Sequence, residues 1–350
     1  MTSATLKDVA KFANVSQATV SRVLNDNPSV DTVLRDRVNQ AVHALAYQPN
    51  RAARRLRAQS SNVIGLIISD IQNPYFISII RGIEDAAYAQ NMNVILCNSD
   101  ENIKKQAMYL NVMQAERVAG LIFVPTPGTN SAALESLMNS GVALTLLDRT
   151  LEDMAVDTVK VDNVRGAYAA VKHALELGYR RIAIIIASND ITTGRERYQG
   201  YLNALNEAGI PIDLTIIKYG DSRTESGHRL TYELVNTSAP PEVIFAGNNL
   251  VTLGALRALH ELGKQVPQDI ALIGFDDMPW SGELQPPLTA VSQPTYELGQ
   301  EAVALLRRRI AEPSAPTRTV ILQTTLIVRE SCGSRLVTKK GRKPQPKSYS

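Results

Sequence analysis

The chain is 350 residues long, and its hydrophobic share of 44% and charged share of 20% are typical of a globular protein rather than a disordered or fibrous one. Its two cysteines cannot build a disulfide framework, and its apolar runs are far shorter than the roughly 20 residues that a membrane helix needs. The N-terminus carries no apolar signal segment, so we expect a cytoplasmic protein that contacts no membrane.

Basic residues are concentrated at the two ends of the chain. Residues 1–58 contain nine Lys and Arg against four Asp, and residues 335–350 contain six basic residues and no acid. The stretch between them is acidic, so the whole chain has a net charge of only +3. This distribution predicts that the basic N-terminal region contacts a polyanion, with the tail as a second candidate, although basic termini are often simply solvated.

Three short helices are predicted in the first 49 residues. Thr5 and Ser16 are suitable N-caps for helices over residues 6–13 and 17–24, and Asp31 opens a third helix. Two short helices joined by a tight turn, with a third packed behind them, predict a helix-turn-helix module. A small helical bundle with no role in DNA binding is the alternative.

The second predicted helix has side chains suited to the DNA major groove. Gln17, Ala18, Ser21 and Arg22 share its outer face. Short side chains permit a close approach, and a guanidinium can donate two hydrogen bonds to guanine O6 and N7. We therefore expect this helix to read base edges.

Three segments of this region resemble the DNA-binding head of the lactose-repressor (LacI/GalR) family, namely Thr5–Lys11, Val15–Asn25 and Ala46–Ala53. The resemblance is nearly continuous over residues 5–57. It implies a ligand-responsive transcriptional regulator, and in particular a repressor that binds double-stranded operator DNA as a homodimer. The candidate DNA-binding residues are Thr5, Ser16, Gln17, Ala18, Thr19, Ser21, Arg22, Asn25, Tyr47, Asn50, Ala53, Arg54 and Leu56.

The segment over residues 50–61 is predicted to be a hinge or linker, and the resemblance implies that it folds only on operator DNA. Residues 51–57 favour helix by composition, yet the segment is too short and too basic to be stable alone. DNA phosphates would neutralise its arginines. Leu56 matches the family's leucine that inserts into the minor groove, and packing against the rest of the protein is the alternative.

Apolar strand-like runs alternate with amphipathic helical stretches over residues 62–335. This alternation predicts parallel sheets buried on both faces, and the number of repeats predicts two doubly wound lobes. The predicted strands are 63–69, 94–97, 121–124, 143–147, 182–187, 243–246, 270–274 and 320–328. The predicted helices are 76–91, 101–117, 131–140, 164–178, 195–208, 223–236, 249–263 and 295–311.

This body also resembles the family's core, which is similar to type I periplasmic binding proteins. The predicted fold class is an N-terminal all-α helix-turn-helix head followed by an α/β two-lobed core with two doubly wound parallel sheets. The resemblance implies three crossings between the lobes, expected near residues 160, 290 and 322. The predicted domains are the head (1–49), the hinge (50–61), the core (62–335) with an N-lobe (about 62–160 and 291–321) and a C-lobe (about 161–290 and 322–335), and a basic disordered tail (336–350).

Polar residues at the predicted strand ends are candidates for binding a small-molecule effector. Ligands of such sheets bind at the carboxyl ends of the strands, here in the cleft between the lobes. Carboxylates and amides beside arginines can pair with the hydroxyls of a sugar-like metabolite, although each residue could instead cap a helix or shape a turn. The candidates are Asp70, Asn73, Tyr75, Phe76, Asp148, Arg149, Thr193, Arg197, Asn248, Asn249, Asp276 and Trp280.

Two positions depart from the family pattern. Ser222 stands where many relatives have an aromatic residue that stacks on the ligand, so Trp280 is either a replacement stacking surface or an ordinary surface residue. Asn249 stands where an aspartate is common. With one carboxylate fewer beside Arg149 and Arg197, a sugar acid becomes a candidate effector.

An enzyme or a sugar-binding receptor on the same two-lobed fold is the alternative function. The four histidines are scattered, and the sequence contains no G-x-G-x-x-G, P-loop, H-E-x-x-H, G-x-S-x-G or paired-cysteine metal motif. We therefore expect no enzyme, no catalytic residue, no metal and no cofactor. No leucine heptad follows the core, which favours a dimer over a dimer of dimers.

Overall fold

The computed structural model describes residues 4–24, 27–47, 61–188 and 190–334. The chain divides into two compact units, residues 1–61 and residues 62–350.

Three helices form within the described part of the first unit. They are α1 (Leu6–Phe12), α2 (Gln17–Leu24) and α3 (Thr32–Ala44). Their inner faces supply a small apolar core in which Val9, Val20 and Val38 are fully buried. The predicted helical head is confirmed, since the apolar positions repeat at the spacing of one helix face.

Side chains cap the three helices where the sequence predicted caps. The Thr5 backbone N–H donates to the Asp8 carboxylate at 2.8 Å, and the Asp8 N–H donates back to Thr5 Oγ1 at 3.3 Å, which is a capping box. These hydrogen bonds lower the pKa of Asp8. Ser16 accepts from the Thr19 N–H at 3.0 Å, and Asp31 caps α3.

Two six-stranded sheets organise the described part of the second unit. The strands are β1 (Val63–Ile68), β2 (Asn93–Asn98), β3 (Gly120–Phe123), β4 (Ala143–Leu147), β5 (Asp157–Val161), β6 (Ile182–Ala187), β7 (Ile217–Gly220), β8 (Val243–Ala246), β9 (Ala271–Phe275), β10 (Thr289–Ser292), β11 (Thr319–Leu322) and β12 (Thr325–Ile327). The N-lobe sheet has the order β11-β5-β4-β3-β1-β2, and the C-lobe sheet has the order β12-β10-β9-β8-β6-β7. Each pairing is parallel except that of β12 with β10. The predicted pair of doubly wound sheets is confirmed.

The chain passes from one sheet to the other after β5, after β10 and between β11 and β12. The single final strand predicted over residues 320–328 is therefore wrong, because β11 and β12 belong to different sheets. Strands β5, β7 and β10 were not predicted. Strand β5 lacks an apolar run because three of its five residues, Asp157, Thr158 and Lys160, are polar. The buried Asp157 carboxylate accepts a hydrogen bond from Arg309 Nε at 2.8 Å.

Helices cover both sheets, as βαβ crossovers require. They are α4 (Pro74–Tyr88), α5 (Ile103–Ala115), α6 (Ser131–Asn139), α7 (Asn163–Glu176), α8 (Thr192–Glu207), α9 (Thr224–Val235), α10 (Asn249–Glu261) and α11 (Thr295–Ala311). Helices α4 and α11 approach closely through glycines: a Cβ at Gly82 would lie 2.1 Å from the Tyr296 carbonyl oxygen, and one at Gly299 would lie 2.3 Å from that of Ile79. This packing fixes α4, which carries part of the cleft.

Candidate ligand cleft and DNA-contacting helix

A polar cavity lies between the lobes at the carboxyl ends of the strands. The N-lobe lines it with Ser69, Asp70, Asn73, Tyr75, Phe76, Glu101, Asp148 and Arg149. The C-lobe lines it with Ala187, Thr193, Gly194, Arg197, Asp221, Ser222, Arg223, Gly247, Asn248 and Asp276. The structure thus brings together all the candidate ligand-binding residues except Asn249 and Trp280.

Asp148 and Tyr75 form the N-lobe floor of the cavity. Asp148 directly follows β4, and its backbone is in the left-handed region with φ 68°, which Asp tolerates better than most residues. The Tyr75 hydroxyl donates a hydrogen bond to Asp148 Oδ1 at 2.8 Å. Burial raises the pKa of the Asp148 carboxyl and that of the Tyr75 hydroxyl.

Arg149 is held by a carboxylate that the sequence did not single out. Its Nη1 and Nη2 lie 2.9 and 2.6 Å from the two carboxylate oxygens of Glu101, and Nη1 also donates to the Pro125 carbonyl at 3.0 Å. Glu101 lies beyond β2 in a loop, with φ 53°. No short-range motif marks it, because its partner is 48 positions away.

Arg197 is fixed in the C-lobe wall. Its Nε donates to Asn163 Oδ1 at 2.9 Å, and its Nη1 donates to the Gly247 carbonyl at 2.6 Å. The guanidinium carbon lies 3.8 Å from the centre of the Phe275 ring, an arrangement that favours a cation. The remaining donors of this planar group are held in one orientation beside the cavity.

Asp276 and Asn248 complete the C-lobe wall. Asp276 follows β9 with φ 72°, and its carboxylate accepts hydrogen bonds from Gln293 Nε2 and from the Asn249 backbone N–H. Burial raises the pKa of Asp276. Asn248 Oδ1 accepts a hydrogen bond from the Val251 N–H at 2.7 Å and so caps α10. Asn248 also lines the cavity, so it combines the two roles, helix cap and cleft residue, that the sequence offered as alternatives.

Two candidates do not line the cavity. Asn249 Nδ2 donates to Asn73 Oδ1 at 2.8 Å, so its side chain joins the lobes instead of facing the cavity. Trp280 is half exposed and lines a separate groove beside Ile77. The expectation that Trp280 replaces the aromatic ligand platform is not supported by this placement, because the loop after β9 carries the indole outside the cavity.

Positive backbone φ angles cluster around the cavity. Glu101, Asp148, Ser222 and Asp276 line it and have φ angles of 53°, 68°, 65° and 72°. Non-glycine residues in this region are uncommon and concentrate at functional sites, where the surrounding structure holds them in place. The clustering supports a binding role for this cavity and could not be read from residue types alone.

Polar contacts join the lobes at the rims of the cavity. Arg223 Nη2 lies 3.3 Å from Asp100 Oδ1, and the Thr150 N–H donates to Thr192 Oγ1 at 3.2 Å. Because these contacts join the two lobes across the cleft, the cleft is closed in this structure.

The outward face of α2 carries exposed Gln17, Ala18 and Arg22, while Val20 and Val23 face the head core. Three of the four residues on the face that the sequence assigned to DNA are thus exposed within the described part of the first unit, and the fourth, Ser21, is half-buried. Tyr47, by contrast, is buried in the head core at 9% exposure, so its ring stabilises the head. The candidates Asn25, Asn50, Ala53, Arg54 and Leu56, together with residues 50–60 of the hinge and the tail, lie outside the described residues.

Comparison with known proteins tests the resemblance. A model of the lacI family of bacterial regulatory proteins matches residues 5–50, and a model of a periplasmic binding protein-like domain matches residues 171–332. The transcriptional repressor PurR of Pasteurella multocida is 34% identical over 334 residues, which cover 95% of this chain and 100% of that protein. The chain belongs to the LacI family.

Other relatives of this LacI-family member agree in extent and fold. The ribose operon repressor of Halalkalibacterium halodurans is 35% identical, over 93% of this chain and 96% of that protein. The crystal structure of the Lac repressor dimer bound to operator and the anti-inducer ONPF matches with a TM-score of 0.83 and 27% identity, over 95% of this chain and 99% of that one. The predicted family and the predicted likeness of the core to periplasmic binding proteins are confirmed.

Among the described residues, no helix combines the length and apolar character needed to cross a membrane. In the same part of the chain, no group of three or more His, Cys, Asp or Glu side chains is placed to hold a metal ion.

Proposed function

We propose that this LacI-family chain is a dimeric transcriptional repressor that binds a palindromic operator and is controlled by a small sugar-like metabolite in the cleft. The chain carries a helix-turn-helix head and a two-lobed core with a polar cavity. Its relatives include a PurR repressor and a ribose operon repressor, and the similar Lac repressor structure is a dimer on operator DNA. These features together support the proposal.

The convergence of both lobes on one cavity carries this proposal. Asp148 and Tyr75 come from the N-lobe, whereas Arg197, Asn248 and Asp276 come from the C-lobe. A ligand that contacts both sets binds the closed arrangement better than an open one. Because a ligand shifts an equilibrium only through such differential affinity, this cavity is suited to convert metabolite binding into a change of lobe arrangement and hence of operator affinity.

In the head, α2 is proposed to enter the major groove, with Arg22 pairing with a guanine and Gln17, Ala18 and Ser21 lying near base edges. The other head candidates that lie at helix starts, Thr5, Ser16 and Thr19, are proposed to contact phosphates. In the hinge, Leu56 is proposed to insert into the minor groove and bend the duplex.

The proposed domains are a head over residues 1–49, a hinge over 50–61, a core over 62–335 and a basic tail over 336–350. The acidic core would limit unwanted contact with DNA. We place the protein in the bacterial cytoplasm, on the nucleoid when bound to DNA, and we assign it no enzymatic activity.

Selection of DNA from a random pool by the purified full chain tests this function, followed by a metabolite screen on the selected operator. We expect enrichment of an inverted repeat and a sugar-like metabolite that changes operator affinity. The proposal is wrong when no sequence is enriched, or when a variant without residues 1–58 binds the selected operator as tightly as the full chain.

A further inference from the structure

We propose that Glu101 makes the cleft selective for uncharged, hydroxyl-rich ligands by occupying the anion-binding fork of Arg149. The inference rests on the proposed function, because it concerns the ligand of the same cleft. It replaces the sugar acid that the sequence suggested, an expectation that treated Arg149 and Arg197 as available for a carboxylate.

The contact between Arg149 and Glu101 is the geometry in which an arginine recognises a carboxylate. Two parallel hydrogen bonds of 2.9 and 2.6 Å join the guanidinium to the two carboxylate oxygens. Both side chains are largely buried, with 10% and 25% of their surface exposed, so solvent screens the pair weakly. A carboxylate ligand would have to displace Glu101 to use this fork.

The other two arginines of the cavity also have partners within the chain. Arg197 donates to Asn163 Oδ1 and to the Gly247 carbonyl. Arg223 pairs with Asp100 of the opposite lobe at 3.3 Å. Each of these two arginines thus has an internal acceptor. The acceptors of Arg197 are uncharged, and the charge of Arg197 interacts with the Asp148 and Asp276 carboxylates of the same cavity.

The formal charge of the lining disfavours an anion as well. Five carboxylates line the cavity against three arginines, which leaves two negative charges in excess. Like charges placed together in a site repel strongly when solvent is excluded. Of these five carboxylates, only Glu101 is joined to an arginine of the cavity by two hydrogen bonds. The other four are Asp70, Asp148, Asp221 and Asp276.

The polar atoms that remain match hydroxyl groups. Ser69 and Arg149 line the cavity, and Ser69 Oγ and Arg149 Nε are buried without a hydrogen-bond partner within the described chain. Arg149 Nε lies 3.8 Å from Asp148 Oδ2, which is an ion-pair distance but too long for a hydrogen bond. Asp148 and Asp276 retain acceptor capacity beside them. A hydroxyl both donates and accepts, whereas a carboxylate only accepts and an ammonium only donates. A neutral polyol therefore satisfies both kinds of group.

The test uses the full chain and sulfate as the anion probe, with thermal unfolding measured at constant ionic strength. Wild type and Arg149→Gln should show the same sulfate response, because Glu101 blocks the fork. Glu101→Gln should gain a saturable stabilisation, with an apparent sulfate affinity at least about tenfold tighter than that of wild type. The double variant Glu101→Gln/Arg149→Gln should lose this gain.

Glu207→Gln is the matched control, since Glu207 carries the same charge on an exposed face of α8 and pairs with Lys172. The inference is overturned by a gain shared with Glu207→Gln, by a gain that survives removal of Arg149, or by no gain at all. Should Glu101→Gln not fold, the comparison of wild type with Arg149→Gln still decides, because a sulfate response that depends on Arg149 overturns the inference. Sulfate binding involves no DNA, so failure of the proposed repressor function would appear separately, in the operator experiment.

Discussion

Tyr75 and Asp148 lie 73 positions apart in the sequence and share a buried hydrogen bond of 2.8 Å. Tyr75 is in the first turn of α4, and Asp148 immediately follows β4. The bond therefore ties the start of a helix to the end of a strand on the cleft floor. It holds the Asp148 carboxylate in the position where a ligand of the cleft would meet it.

Tyr75→Phe should lower the free energy of unfolding by about 1–3 kcal/mol, because it leaves a buried carboxylate oxygen without its donor. Urea unfolding of the full chain at pH 7 measures this change. Tyr88→Phe is the control, since Tyr88 is 79% exposed near the end of α4. Equal stabilities of the two variants would show that the Tyr75 hydroxyl contributes nothing.

The sequence predicted the head helices, most strands of both sheets and most of the cleft wall. The helices and strands could be predicted because buried faces repeat at regular spacing. The cleft residues could be predicted because residues that follow parallel strands, such as Asp148 in one lobe and Asp276 in the other, lie at the carboxyl edges of the two sheets, which face the cleft. It missed Glu101, since a loop residue is placed by a distant partner rather than by local pattern. It left Trp280 undecided between a stacking surface and an ordinary surface residue, because the direction in which a loop leaves β9 depends on packing that no short segment specifies.

Arg22→Ala should weaken binding to the selected operator by about 1–3 kcal/mol and relax the sequence preference at one base pair, as expected for a guanidinium that pairs with guanine. Repeated selection with the variant measures both effects. Lys7→Ala is the control, because Lys7 is exposed on α1, outside the proposed recognition helix. A sequence preference unchanged by Arg22→Ala would remove Arg22 from base recognition.

Arg197→Ala should abolish the response to the cleft metabolite while operator affinity without metabolite stays within about threefold of wild type, since distant sites usually behave independently. The variant removes a fixed donor from the cleft wall, and the head is a separate compact unit. Operator binding titrated with the metabolite found in the screen measures this. Arg229→Ala, which removes an exposed arginine paired with Glu233 within α9, should respond like wild type. A normal response of Arg197→Ala would mean that the metabolite binds elsewhere.

Asp100→Asn should weaken metabolite binding modestly, by up to about fivefold at low salt, because the Asp100–Arg223 pair joins the two lobes across the cleft and opening the cleft would separate its partners. Both side chains are about half exposed, and exposed ion pairs contribute about 0–1 kcal/mol and weaken with salt. Titrations at two salt concentrations measure the effect. A loss that persists undiminished at high salt would contradict an electrostatic contact between the lobes.

Asp148→Asn should raise the free energy of unfolding at pH 7 while weakening metabolite binding. Burial raises the pKa of Asp148 above the ordinary value of 3.8, so the folded state binds this proton more tightly than the unfolded state does. Stability from this group is then present at low pH and is lost as pH rises from near 3.8 through the raised folded value. Asparagine resembles the protonated form and also tolerates the left-handed backbone at this position, so the variant avoids that loss.

Urea unfolding of wild type and Asp148→Asn across pH 3.5 to 7 therefore distinguishes the protonated from the ionised form of the Asp148 carboxyl. The stability advantage of the variant should be largest near pH 7 and should shrink toward acid pH, where the wild-type carboxyl is protonated. Glu207→Gln should show the opposite pH dependence. A hydrogen bond from Tyr168 lowers the pKa of Glu207, so removing this carboxylate should destabilise the protein more at neutral pH than at acid pH. An advantage of Asp148→Asn that grows toward acid pH would show that the Asp148 carboxylate is stabilised, not penalised, by its burial in the cleft.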